Sequence, residues 1–297
     1  MAELLKKIKG NTYYIKGPVN TGLYVYDQNR CVVVDTGSSD DWGRKIYKAL
    51  KAEGLEAEMI INTHSHADHF GGNNLLVKRT NAEVAASGIE AAIISNPYLE
   101  PLYLYSAHPP KALQNRFLMG KECRVDRIVE PGNFTIGQTT LEIVDLKGHS
   151  PGHIGVATPD GVLMAGDAYF STHIVEKYKL TYFINIADTL DTLNRLKDTD
   201  YCYYLPCHGD LSSDIGEEIH SNLKAINETM GMIRWELIKP LTREELGAAI
   251  TEKYNLDLNT TQYYLNQSSL AAYLSYMTDE GMLKRRIEGR RMVWEAV

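Results

Sequence analysis

Residues 64–69 read His64-Ser65-His66-Ala67-Asp68-His69, and these six positions decide how the rest of the chain is read. They follow EMIINT (58–63), a short apolar run that predicts a buried strand. On an extended segment His64 and His66, two residues apart, point to the same side. Asp68 and His69 fall where the chain is expected to turn into a helix, from about Asp68 to Lys78. Three imidazoles and a carboxylate within six positions form a dense set of metal ligands. Solvated histidines would fall into this pattern by chance on the order of once in two thousand such chains, so the metal reading is adopted.

Three later elements each add a ligand type at the end of an expected strand. Gly148-His149-Ser150-Pro151-Gly152-His153 follows LEIVDL (141–146), Gly166-Asp167 closes GVLMAGD (161–167), and Cys207-His208-Gly209-Asp210 follows YCYYLP (201–206). A lone histidine or a strand-ending aspartate is usually structural. Together they point elsewhere, because loops at the ends of a packed sheet gather residues that are distant in sequence.

In order and spacing, HxHxDH, then GH, then GD, then H resembles the ligand set of the metallo-β-lactamase superfamily, especially its glyoxalase-II-like branch, over roughly residues 10–212. The resemblance implies an α/β fold, an αββα sandwich with the site at one edge of two packed sheets. It also implies two divalent metal ions: zinc first, with iron and manganese as alternatives, because imidazole and carboxylate suit all three. His64, His66 and His149 would hold the first ion, Asp68, His69 and His208 the second, and Asp167 would bridge them. Asp35, in VVVDTG, matches a position that supports the metal loop from behind, with a strand-capping aspartate as the alternative. The implied reaction is cleavage of a small ester, thioester or lactone by a hydroxide shared between the ions, available because a bound water's pKa falls to about 7. Asp68 is the candidate to orient that hydroxide. His153 is a second candidate catalytic residue, set against a structural histidine. A flavodiiron enzyme would carry Glu where His66 stands; a mono-iron persulfide dioxygenase-like enzyme keeps a similar histidine motif and stays an alternative.

Further out, GLYVY (22–26) and CVVVD (31–35) predict a hairpin, residues 40–54 a helix, and Glu83–Ala86 a strand. Residues 94–120 carry four prolines and three tyrosines, and no regular helix is expected over their first half. They read as a lid, with Tyr98, Tyr103 and Tyr105 as possible pocket residues. Tyr169, His173, Tyr178 and Tyr182, after Asp167, are further candidates, with core or surface tyrosine as the alternative. No convincing match appears to the basic residues with which glyoxalase II grips glutathione.

After residue 213 the pattern changes, and the chain divides into a catalytic domain, 1–212, and a C-terminal domain, 213–297. Ile219, Leu223, Ile226, Met230, Ile233 and Leu237 form one stripe of a long helix, packed on its own domain or forming the seam of a homodimer. Thr242 and Glu245 predict a capping box, Leu270, Tyr273, Leu274 and Met277 a second helical stripe, and LKRRI-EG-RRMVWEA a hairpin. Helix, helix, hairpin resembles the small winged-helix-like domain appended to lactamase-β-like hydrolases, some of which cleave RNA. Lys284, Arg285, Arg286, Arg290 and Arg291 would then be the phosphate contacts of an endoribonuclease. Against that, the candidate recognition helix, 266–281, has no Lys or Arg, and the whole chain carries a net charge of -7. A small-molecule substrate is therefore preferred. MAELLKKIKG (1–10) has no signal-peptide stretch, no run suits a membrane span, and the four cysteines form no CxxC pair, so a reducing cytoplasm is expected.

Overall fold

The computed structural model describes residues 4–297; the first three residues of the N-terminal stretch lie outside it. Two β-sheets lie face to face at its centre. The first holds β1 (Lys6–Lys9), β2 (Thr12–Ile15), β3 (Thr21–Val25), β4 (Arg30–Val34), β5 (Glu56–Ile61), β6 (Glu83–Ala86) and β7 (Arg127–Ile128), side by side in that order. β1 to β4 are antiparallel, as short turns allow. β4 to β7 are parallel, and each crossover carries helices: α1 (Asp40–Ala52), then α2 (Ala67–Phe70) and α3 (Asn73–Thr80), then α4 (Gly88–Ser95) and α5 (Leu99–Tyr105). The second sheet runs in the order β12-β11-β10-β9-β8, from β8 (Gly132–Ile136), β9 (Thr139–Asp145), β10 (Ile154–Ala157), β11 (Val162–Gly166) and β12 (Tyr203–Pro206).

Strand periodicity explains the layers. In β4 and β5, Val32, Val34, Met59 and Ile61 face the second sheet and pack on Ile143, Val156, Met164 and Leu205. Their neighbours Cys31, Val33 and Ile60 point the other way, onto Ile46 and Leu50 of α1 and Leu76 of α3. Strands buried on both faces read as continuous apolar runs, as CVVV and MII do. On the far side of the second sheet, Leu163 and Ala165 meet α6 (Thr172–Tyr178), α7 (Ile186–Lys197) and α8 (Gly216–Glu236). The αββα sandwich expected from the sequence is present.

The departures have local causes. The helix expected over 68–78 is broken into α2 and α3. The carbonyl of His69 accepts the Thr36 N–H at 2.7 Å and the Asn62 amide at 3.0 Å, which draws it away from a continuing helix. The expected lid contains a regular helix, α5. Its Pro101 occupies the third helical position, where a missing N–H costs nothing because the first turn has no intrahelical acceptors.

The C-terminal stretch forms α8, α9 (Arg243–Tyr254), α10 (Thr260–Asp279) and the hairpin β13 (Leu283–Glu288)–β14 (Arg291–Ala296). Thr242 and Glu245 make the expected capping box. The α8 stripe is spent inside the chain: Ile219, Ile226, Ile233 and Leu237 are buried, with Leu223 and Met230 packed beside them. It is therefore not left over as a dimer seam. The same hydrophobic cluster runs from Leu146 and Leu163 of the sandwich to Leu274, Met277 and Leu283. No helix among the described residues is long and apolar enough to cross a membrane.

Candidate metal centre

All seven residues expected as ligands come together at one edge of the sandwich. The loops after β5, β9, β11 and β12 deliver them, so the strands place what the sequence scatters. His66 Nδ1 has His64 Nε2 at 3.0 Å and His149 Nε2 at 2.9 Å. A second group gathers Asp68, His69 and His208, with His208 Nε2 3.2 Å from Asp68 Oδ2. Asp167 Oδ2 lies between the groups, 3.6 Å from His149 Nε2, 3.6 Å from His69 Nε2 and 3.5 Å from His208 Nε2.

Hydrogen bonds from behind fix which nitrogen faces inward. His149 Nδ1 donates to the Tyr182 carbonyl at 2.9 Å and His208 Nδ1 to the Pro18 carbonyl at 2.9 Å. A carbonyl only accepts, so each Nδ1 carries a proton and, in the neutral ring, each Nε2 is a free lone pair. His69 Nδ1 is held by Asp35 Oδ2 at 2.9 Å. Asp35 also accepts from the Thr63 N–H and hydroxyl, at 2.8 and 2.7 Å, and so ties β4 to the metal loop.

The donor set fits a metal. Three imidazole nitrogens on one tetrahedral ion with bonds near 2.0–2.1 Å stand about 3.3 Å apart, close to the spacing of the first group. His69 Nε2 and Asp167 Oδ1 are buried without a hydrogen-bond partner, an expensive arrangement unless a cation lies between them. Burial holds His66 down to about 3 and pushes His64 well below its ordinary value, so these two imidazoles are neutral; against the effect of burial, Asp167 and Asp68 raise His69 well above its ordinary value, so a cation in the second group would displace its proton. Burial opposes ionisation of Asp167, yet His208 and His69 hold its carboxyl well below the usual range. Asp167 in turn raises His208 to about 9 against the effect of burial.

His153 lies behind the centre. It is fully buried, its Nε2 accepts the Asp167 N–H at 2.9 Å, and it does not line the cavity above the ligands. Gly166 takes φ +57, and a Cβ there would come within 2.5 Å of that Nε2, so glycine lets the bond form.

The cavity has a volume of about 360 Å³, with His66, Asp68, His149, Asp167 and His208 at its floor. Phe170, Ile174 and Leu180 wall one side, and Phe117 and Leu118 of the 94–120 segment another. Gln262, Leu265 and Asn266 of α10 also line it, as do Lys177 and Thr181. Of the sequence candidates, His173, Tyr178 and Tyr182 line it. Tyr169 is core, Tyr98 bonds His108 at 2.6 Å, Tyr105 meets Tyr264 edge to face, and Tyr103 is not in the wall. Leu104, Leu113 and Leu118 anchor the segment against Tyr264 and Leu265.

Sequence reading missed Glu90, Glu100 and the α10 residues. Glu100 is buried in the cavity wall, and burial, with Asp68 and Glu90 nearby, raises its carboxyl well above the usual range. Glu90 is the one charged residue of α4, GIEAAIIS, and a single carboxylate in an otherwise apolar helix is the signal that could have found it.

A model of the metallo-beta-lactamase superfamily matches residues 14–208, which contain every one of these ligands. The chain belongs to that superfamily. Among relatives, a hydroxyacylglutathione hydrolase of Erythrobacter litoralis is 29% identical over 151 residues, covering 50% of this chain and 47% of that protein. Another, from Enterobacter sp., is 30% identical over 145 residues, covering 49% and 45%. The chain thus spans about half the length of the curated relatives it matches. Among solved structures, a beta-lactamase domain protein from Burkholderia ambifaria superposes with a TM-score of 0.76 at 19% identity, covering 99% of this chain and 93% of that one. A metallo-beta-lactamase family protein from Thermus thermophilus gives 0.72 at 20% identity, covering 97% and 99%. At such identities the likeness is one of fold.

Proposed function

We propose that this superfamily member is a metal-dependent hydrolase of small esters, thioesters or lactones with an apolar acyl part. The observation that carries the reading is the placement of two ligand groups, joined by Asp167, on the floor of a cavity with largely apolar walls. In this reading His64, His66 and His149 would hold one divalent ion and Asp68, His69 and His208 the other, with Asp167 available to both. Zinc is the first choice, and iron or manganese would suit the same donors. Two cations there would lower the pKa of a water to about 7 and polarise the carbonyl under attack.

The chain's own residues supply the rest. Asp68, one-third exposed on the cavity floor, orients the attacking water through its carboxylate. His153 positions Asp167 through the backbone and exchanges no proton with substrate. Phe117, Leu118, Ile174 and Leu265 take up the acyl group and exclude water around it. Residues 213–297 form a second domain in this reading, whose helix α10 closes the pocket. The free cysteines are consistent with a reducing cytoplasm.

The test is metal analysis of the purified protein, then a panel of p-nitrophenyl esters, acyl thioesters and lactones of increasing acyl length. Turnover should rise with acyl length until the cavity is filled, vanish on chelation, and vanish in His66→Ala and Asp167→Ala. Full turnover in a metal-free preparation would sink the reading.

A further inference from the structure

The two loops that carry His64, His66 and His149 are joined by a third element, the start of α4. Glu90 is fully buried there. Its Oε2 accepts the N–H of Ser65, between His64 and His66, at 2.9 Å. Its Oε1 accepts the Ser150 hydroxyl, next to His149, and the Gly152 N–H, each at 2.7 Å. One residue before α4, Ser87 donates its hydroxyl to the Gly152 carbonyl at 2.6 Å. Gly152 is held so closely that a Cβ would come within 2.4 Å of Ser87 Oγ and of Ile89.

We propose that Glu90 is the positioning residue of the first metal site, holding the His64–His66 loop and the His149 loop at the separation at which their three imidazoles share one ion. This rests on the metal-centre reading above. Charge-assisted bonds to a carboxylate are the short, strong kind, and here three of them converge on a side chain mounted on a packed helix. The Ile154 N–H also bonds the Thr63 carbonyl at 2.9 Å, so the segments stay joined without Glu90, and the loops loosen rather than part. The second group has its own supports: Asp35 behind His69 and the Pro18 carbonyl behind His208. Glu90 touches neither, so its influence falls on one site of the two. A glutamine in its place would turn an NH₂ toward backbone or hydroxyl donors, leaving donor facing donor.

Zn²⁺ affinity measured against a chromophoric chelator tests this without any substrate. His208→Ala leaves the three-histidine group, and His149→Ala leaves the Asp68, His69 and His208 group. Adding Glu90→Gln should weaken Zn²⁺ binding about 10–100-fold in the His208→Ala background, the usual cost of losing a ligand's support. In the His149→Ala background the change should stay within about twofold, as for residues that share no partner. Equal losses in both backgrounds would mean general loosening of the fold and overturn the proposal, as would no loss in the first. If Glu90→Gln does not fold, Ser150→Ala, which removes one donor and keeps the carboxylate, should give a smaller loss confined to the same background, and its absence there also overturns the proposal. If neither parent variant binds Zn²⁺, the metal-centre reading fails and takes this proposal with it.

Discussion

Asp35 Oδ2 lies 2.9 Å from His69 Nδ1 with both side chains fully buried, and the contact turns the other nitrogen of His69 toward Asp68 and Asp167. Asp35 takes φ +58, a conformation that asparagine also tolerates. Asp35→Asn therefore keeps backbone and volume while giving His69 and Thr63 a donor in place of an acceptor. Metal affinity of the second group should fall about 10–100-fold. A chelator-competition titration giving the wild-type affinity would show that the loop holds His69 unaided.

The seven candidate ligands could be picked out, and their convergence expected, because metal chemistry uses few residue types and the loops fall at strand ends. Asp35 could be read only as one of two alternatives, since the sequence does not say that β4 ends beside His69. The pocket was less legible. Tyr98, Tyr103 and Tyr105 were reasonable candidates, but none of them lines the cavity, and Phe117 and Leu118 of the same segment form that wall instead. No local pattern announces that α10, some two hundred residues after the first ligands, lines the same cavity. That is a tertiary fact, set by Leu265 meeting Leu118.

Thiol labelling reads the burial pattern directly. Cys202 is exposed and hydrogen-bonded to Lys9, whereas Cys31, Cys123 and Cys207 are buried. Burial pushes Cys31 up to about 12 and Cys123 to about 11, and it raises Cys207 as well. The thiolate is the reactive form, so a raised pKa delays reaction to higher pH. One thiol should react rapidly at pH 8, and going to pH 9.5 should not release the other three while the fold holds. Rapid labelling of two or more thiols in native protein would contradict the burial of Cys31, Cys123 or Cys207.

Truncation tests how far the C-terminal stretch stands apart. Residues 1–212 alone would expose the surface on which Ile219, Ile226 and Ile233 pack. Each such side chain contributes about 1.5–3 kcal/mol when fully buried, so losing several is comparable with the ~5–15 kcal/mol margin of a typical domain. The fragment should aggregate or give a broad, low-temperature transition by circular dichroism. A soluble fragment melting like the whole chain would show that the catalytic part folds without α8 to α10.

RNA is one alternative substrate that stays open, and the salt dependence of its binding tests it. Two of the five hairpin cations are paired: Arg286 with Glu288 at 2.7 Å and with Glu295, and Arg291 with Glu245 at 3.0 Å. Exposed pairs of this kind contribute only about 0–1 kcal/mol to stability, so replacing the arginines should leave the fold intact. They weaken the local field that a phosphate backbone would meet at Arg286 and Arg291. Meanwhile α10, the helix that would enter a groove, points Gln262, Leu265 and Asn266 into the catalytic cavity. Binding of single-stranded RNA should therefore be weak. Changing Arg285, Arg286, Arg290 and Arg291 together to Gln should leave its salt slope unchanged, whereas four true phosphate contacts would reduce the slope by about 0.7 each. Tight binding at 150 mM salt, lost in that variant, together with metal-dependent cleavage lost in His66→Ala, would make the chain a ribonuclease and turn the apolar pocket into a secondary feature.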